Sequence, residues 1–211
     1  MNDYSVICRY MGYNGPADTQ LETLIVSCLE KLASVSTPHY VTTQLSCKVA
    51  GNCVTIGELD IESSGLAVHL CNCTQVYLFA ATLGAVVDRL ISQRVKIDST
   101  EGLCIQACAA AQIEDYCNSI EQEISLSIKD QGLYLRPRFS PGYSNFNIAH
   151  QTDILRILQA YKRIGLTETK AHMLTPLKSV TAVIGVSSEM TKCTLNKCAD
   201  CTTTDCSYKL K

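Results

Sequence analysis

LYLRPRFSPGYSNF, residues 133–146, reads as a strand that runs into a turn. Residues 133–139 form a β-prone run. Pro141-Gly142 ends it, since proline deletes a backbone donor and glycine opens conformations closed to other residues. Pro137 lies inside the run. A missing N–H is tolerated at a sheet edge rather than in the middle of a ladder, so this strand is expected at an edge.

Outward from that stretch, helical and β patterns intersperse without a strict βαβ rhythm. Upstream, residues 99–127 are the longest helical candidate. Ser99 and Thr100 open it, Ala107-Cys108-Ala109-Ala110-Ala111 gives it a small face for close packing, and Ile113, Tyr116, Cys117, Ile120 and Ile124 continue its apolar stripe. Residues 76–81 fit a buried strand that turns through Thr82-Leu83-Gly84 into a helix over 85–94, with Val86, Val87, Leu90 and Ile91 as its stripe. Residues 60–72 read as a short helix starting near Ser63 or Ser64. Residues 38–58 read as two short strands hinged at Gly51-Asn52, and 17–35 as an amphipathic helix opened by Gly15-Pro16 and Asp18.

Downstream, 151–163 form an amphipathic helix through Ile154, Leu155, Leu158 and Tyr161, closed by Gly165, and 179–186 are strongly β-prone. The interspersion implies an α+β fold, with a mixed, mainly antiparallel sheet and packed helices. After Val186 the apolar periodicity stops, and cysteine, lysine and threonine take over. Two parts are therefore expected: residues 1–186, and a short cysteine-rich appendage at 187–211.

With 46% hydrophobic residues in a chain of 211, a sizeable core is available. Eighteen basic side chains against twenty acidic ones leave a net charge of -2, so the balance gives no support to nucleic acid as a partner. No apolar run approaches the roughly 20 residues of a membrane span, and MNDYSVICRYMGYNG lacks the order of a secretory signal. The expectation is a cytoplasmic protein without a membrane partner. In that compartment thirteen cysteines, an odd number, are not expected to form a structural disulfide set.

The chemistry in the opening stretch starts at Arg138. At a strand end its guanidinium can grip a carboxylate through two parallel hydrogen bonds. The Pro141-Gly142 turn lets backbone approach a ligand closely, and Tyr143 adds a flat face with a polar tip. Together these suit an amino-acid-bearing nucleoside. The same residues also suit a purely structural strand end.

Arg-x-x-x-Gly-Tyr, here Arg138, Gly142 and Tyr143, resembles the S-adenosylmethionine signature of the reactivation domain of cobalamin-dependent methionine synthase. ATLGAVVDRLI at 81–91, RFSPGYSNF at 138–146, RIG at 163–165 and PLKSVTAVIGV at 176–186 are similar to the short, stand-alone members of that family, which occur in anaerobic bacteria. The likeness runs from about residue 40 to the end.

The resemblance implies that Arg138 and the Phe139 backbone hold the methionine part of S-adenosylmethionine, with Gly142 in the turn and Tyr143 beside the ligand. It also implies an acidic residue from the long preceding helix. In AQIEDYCNSIEQEI that is Glu114, with Asp115 and Glu121 as rivals and a solvated acidic face as the plain alternative. The family's domain has a further tyrosine after the region matching 179–186, where this chain enters its cysteine tail.

The implied function is reductive reactivation of a corrinoid protein. A corrinoid oxidised to cobalt(II) is returned to use by coupling its difficult reduction to irreversible methyl transfer from the sulfonium, and the domain's part is to place that methyl over cobalt. Cobalamin would arrive on the partner, either methionine synthase or another corrinoid protein. The alternatives are a methyltransferase with another acceptor, or a non-catalytic metal-binding or chaperone module for a corrinoid protein.

Cys193, Cys198, Cys201 and Cys206 have the spacing C-x4-C-x2-C-x4-C. The central C-x2-C brings two sulfurs to one centre, as in zinc and iron–sulfur sites. Zinc would staple a tail too short for its own core. An iron–sulfur cluster would supply the electron for cobalt reduction, in place of a separate electron-donor protein; free thiols or a redox disulfide are the remaining reading. Cys71 and Cys73 are poorly spaced as joint ligands. Cys104 and Cys108, one turn apart, are expected to face the core. His39, His69, His150 and His172 share no metal-ligand spacing, and His150 lies closest in sequence to the candidate pocket.

Protein purified without oxygen is expected to carry either iron with visible absorption or zinc without it, in both cases lost on replacing Cys198 and Cys201 together by serine. Zinc without iron or colour would overturn the cluster reading, and no metal at all would overturn both.

Overall fold

The run from Val76 to Thr82 sets the centre of the molecule, because it is buried on both faces. The computed structural model describes residues 4–13, 15 and 17–189. The elements are α1 (Ser5–Tyr10), α2 (Thr19–Ala33), β1 (His39–Ala50), β2 (Cys53–Ile56), β3 (Leu59–Glu62), α3 (Ser64–His69), β4 (Cys73–Thr82), α4 (Ala85–Ile97) and α5 (Ser99–Lys129). They continue with β5 (Tyr134–Leu135), α6 (His150–Ile157), α7 (Ala160–Ile164), β6 (Thr167–Glu168), β7 (Leu174–Thr175) and β8 (Ser179–Ser187).

Six strands form one sheet in the order β3-β2-β1-β4-β8-β5, with every neighbouring pair antiparallel. β4 and β8 pair along almost their whole lengths. Side chains alternate across a strand. Phe79, Ala81, Ala182 and Ile184 therefore enter a core built with α1, α2, α4 and α5, while Val76, Leu78, Ala80 and Val183 enter a second core with α3, α6 and α7. An antiparallel sheet commonly wets one face; here helices cover both sides of its centre. β6 and β7 form a separate two-stranded ribbon.

Local signals place the helix starts. Asp18 accepts from Leu21 N–H at 2.8 Å, Ser63 from Leu66 N–H at 3.1 Å, and Asp98 from Thr100 N–H at 2.9 Å. Gly102 lets α5 meet α4: a Cβ there would lie 2.6 Å from Val95 Cα.

The α+β class, the mainly antiparallel sheet, the edge position of the 133–139 run and the long fifth helix all agree with the sequence reading. Four details differ. Only Tyr134 and Leu135 join the ladder, with an isolated bridge from Phe139 to Val183, because Pro137 has no N–H to give. The 151–163 helix is broken at Gln159, whose φ is +51°, and Tyr161 is 74% exposed rather than in the buried stripe. The 60–72 segment starts as β3, and α1 and the β6–β7 ribbon had no clear pattern in the sequence. β8 also extends through Ser187, one residue into the expected appendage. The nine described cysteines are free thiols, with Cys104 and Cys108 fully buried. No helix among the described residues is long and apolar enough to cross a membrane.

Gly102→Ala would drive a methyl group into the Val95 backbone. The expected loss is about 1–3 kcal/mol of unfolding free energy, read from denaturant titration. An unchanged midpoint would show that the α4–α5 contact is not this tight.

Candidate functional site

Arg138 leaves the sheet edge and reaches across to α5. Its Nη2 donates to Glu114 Oε2 at 2.9 Å and to Asn118 Oδ1 at 3.0 Å, while Nη1 lies 3.0 Å from Glu121 Oε1. The three partners recur at i, i+4 and i+7, which places them on one helix face. The Arg138 side chain is 11% exposed, Glu121 24% and Glu114 47%. The ion pair with Glu121 is therefore the more buried of the two and that with Glu114 the more open. Asp115, the remaining acidic candidate, is exposed and makes no ion pair among the described residues. Cys117 lies on the same stretch of α5. Burial pushes its thiol up to about 12 despite the nearby Arg138 charge, so it stays neutral.

Phe139 ties the segment to the sheet. Its N–H donates to Val183 O at 2.9 Å and its carbonyl accepts from Val183 N–H at 2.9 Å. The Phe139 backbone, expected from the resemblance to hold a ligand, is therefore already paired with β8. What its carbonyl keeps is a second lone pair. The ring is buried, 4.8 Å from the His69 ring centre and edge-on to Tyr143 at 5.8 Å. His69 Nε2–H donates in turn to Pro137 O at 2.8 Å.

The turn that follows is closed internally. Gly142 N–H donates to Phe146 O at 2.7 Å, Tyr143 N–H to Ser140 O at 3.1 Å, and Phe146 N–H to Tyr143 O at 2.9 Å. Gly142 has φ of +93°, the left-handed region that favours glycine. Asn145 docks the turn on α3: its Oδ1 accepts from Ser63 Oγ and Gly65 N–H, each at 2.9 Å, and its Nδ2 donates to Ser64 Oγ at 3.0 Å. Pro141 is buried beneath, and Tyr143 stands 43% exposed.

These elements bound an open cleft of about 200 Å³. One end is charged, with Glu114 and Arg138. Ser140, Pro141 and Tyr143 form one wall, and Gln151, Leu174, Ser179, Val180 and Thr181 form the rest. The structure thus brings Arg138, Glu114 and Tyr143 together as the sequence suggested. Phe139, Gly142 and Glu121 do not line the cleft: Phe139 holds the segment on β8, Gly142 shapes the turn and Glu121 pairs with Arg138. His150 does not line it either; it stacks on Phe146 at 5.7 Å and faces Asp153 at 3.5 Å. Its neighbour Gln151, missed in the sequence, does. Helix α1 packs against α5, and burial and then the Glu114 charge push the Tyr10 phenol up.

Among the described residues, no three or more His, Cys, Asp or Glu side chains are arranged to hold a metal ion. Cys193, Cys198, Cys201 and Cys206 lie outside the described residues.

No family model matches the chain, and no curated protein matches it either. Among solved structures it is similar to the MetH reactivation domain bound to AdoHcy. The TM-score is 0.69 at 14% identity, over 90% of this chain and 75% of that one. The chain has that domain's fold.

Arg138→Met removes the cation from between two carboxylates. With partners this partly exposed, the expected loss is about 1–3 kcal/mol, part of it regained in Arg138→Met/Glu121→Gln. A single variant as stable as the wild type in denaturant would show that the bridge does not tie the segment to α5.

Proposed function

We propose that the protein binds S-adenosylmethionine in the cleft beside Arg138 and presents it to a corrinoid on a partner protein, in the manner of a reactivation domain. The observation that carries this reading is the position of the Arg138-to-Tyr143 segment. The stretch whose sequence resembles an S-adenosylmethionine signature lines an open cleft, on a fold shared with a domain solved with AdoHcy.

The side chains fit such a ligand. At the charged end, Arg138 would hold the carboxylate of the methionine part and Glu114 its ammonium group. Glu114 is the exposed partner and the one able to exchange, while Glu121 keeps Nη1 in place. The remaining walls are neutral, with hydroxyls at Ser179 and Thr181 and apolar surface from Leu174 and Val180, as a nucleoside requires. Tyr143 offers an exposed aromatic face at the rim. Gly142 sets the turn, and Phe139, paired with Val183, holds the segment on β8. S-adenosylmethionine, when bound, supplies an activated methyl group. The chain's own part is to bind, orient and present it, a proximity role. Methionine synthase and another corrinoid protein are both consistent partners.

Calorimetry with S-adenosylmethionine and S-adenosylhomocysteine tests the pocket. Both are expected to bind, and Arg138→Ala is expected to raise Kd roughly 10- to 100-fold by removing a charged hydrogen-bond donor. No binding by the wild-type protein would reject the reading and leave the chaperone alternative standing. Binding unchanged by Arg138→Ala would move the site elsewhere. Methyl-cobalt absorption on mixing with a cobalt(II) corrinoid protein, reductant and S-adenosylmethionine would separate reactivation from methyl transfer to another acceptor.

A further inference from the structure

We propose that Gln151 is the positioning residue of the cleft: its buried amide ties the strand flooring the cleft to the ribbon walling it. The identity of the ligand rests on the S-adenosylmethionine reading; the brace itself rests only on geometry.

Gln151 lies in the first turn of α6, is 4% exposed and lines the cleft. A primary amide has two N–H donors and one carbonyl acceptor, and all are used. Oε1 accepts from Thr181 Oγ1 at 3.2 Å; Nε2 donates to the His172 carbonyl at 2.6 Å and to Glu168 Oε2 at 3.5 Å. Thr181 belongs to β8, and Glu168 and His172 flank the β6–β7 turn. One side chain thus joins three of the elements that bound the cleft.

The ribbon needs this tie. β6 and β7 pair at only two positions, Thr167 with Thr175 and Glu168 with Leu174, and a ribbon that short is marginal alone. Leu166 and Leu174 add apolar packing against the second core, and Glu168 adds a polar link to α6, accepting from Thr152 Oγ1 while lying 3.0 Å from His172 Nδ1. Leu174, the residue the ribbon places in the cleft, sits opposite Glu168 in the register. Gln151 therefore acts on a ligand chiefly through Leu174 and Thr181. The ionisable groups around it are Glu168 and His172 from the ribbon, and Glu114 and Arg138 lining the same cleft; Ser179 and Thr181 of β8 add none.

Two substitutions separate bracing from general stability. Gln151→Met conserves volume and removes every polar tie. Gln151→Glu places an acceptor opposite the His172 carbonyl and the Glu168 carboxylate, and protonation of the new carboxylate in acid would restore one donor, toward the His172 carbonyl.

S-adenosylmethionine binding to Gln151→Glu is expected to weaken about 10-fold or more at pH 8 and to return to within about 3-fold of wild type near pH 5.5, while Gln151→Met stays weak at both. Recovery of Gln151→Glu but not of Gln151→Met would tie the loss to the missing hydrogen-bond donor. In ligand-free Gln151→Met, the Thr169 and Met173 amides should exchange with deuterium about 10-fold faster, since Thr169 donates to Met173 O at 2.8 Å inside the ribbon. Unchanged exchange overturns the brace, whatever happens to affinity. Faster exchange with wild-type affinity removes its role in binding. If the wild-type protein does not bind S-adenosylmethionine, the ligand reading falls while exchange still decides the brace.

Discussion

Burial of both faces of β4 and β8 is the constraint on which the rest depends. A sheet with two apolar faces cannot be left half in water, so each face must be covered. α1, α2, α4 and α5 cover one side and α3, α6 and α7 the other. The elements from opposite layers can then meet only beyond the sheet edge. β5 is too short to extend that edge, and the chain passes from it directly to Arg138. The cleft lies where the two helical layers come within reach of one another.

Arg138 makes the connection. An isolated buried guanidinium would be costly, and the acidic face of α5 offsets that cost at Glu114 and Glu121. The same residue follows Pro137 and precedes Phe139, whose backbone is bonded to β8. Helix α5 and the sheet are thereby fixed relative to the turn, and the turn is fixed to α3 through Asn145. A ligand pocket benefits from such support, because its walls are set before anything binds. The two glutamates differ in exposure, Glu121 being the more buried partner and Glu114 the more open one.

Much of this could be read in the sequence wherever one residue dictates a local outcome. Asp18, Ser63 and Asp98 cap helices, Gly51-Asn52 turns a hairpin, and Pro137 sends its strand to an edge. These are short-range effects of backbone geometry. Arg138, Gly142 and Tyr143 also stood out, through their chemistry and a resemblance. What escaped was set by tertiary contact. Gln151 looked like one polar residue in a helix, and its meaning depends on Thr181 and His172, which are remote in sequence. The break at Gln159 escaped for a similar reason: the apolar spacing through Leu158 and Tyr161 is continuous, and only the left-handed residue between them turns Tyr161 outward. Choosing between Glu114 and Glu121 needed the helix face, which shows that both touch Arg138 in different surroundings.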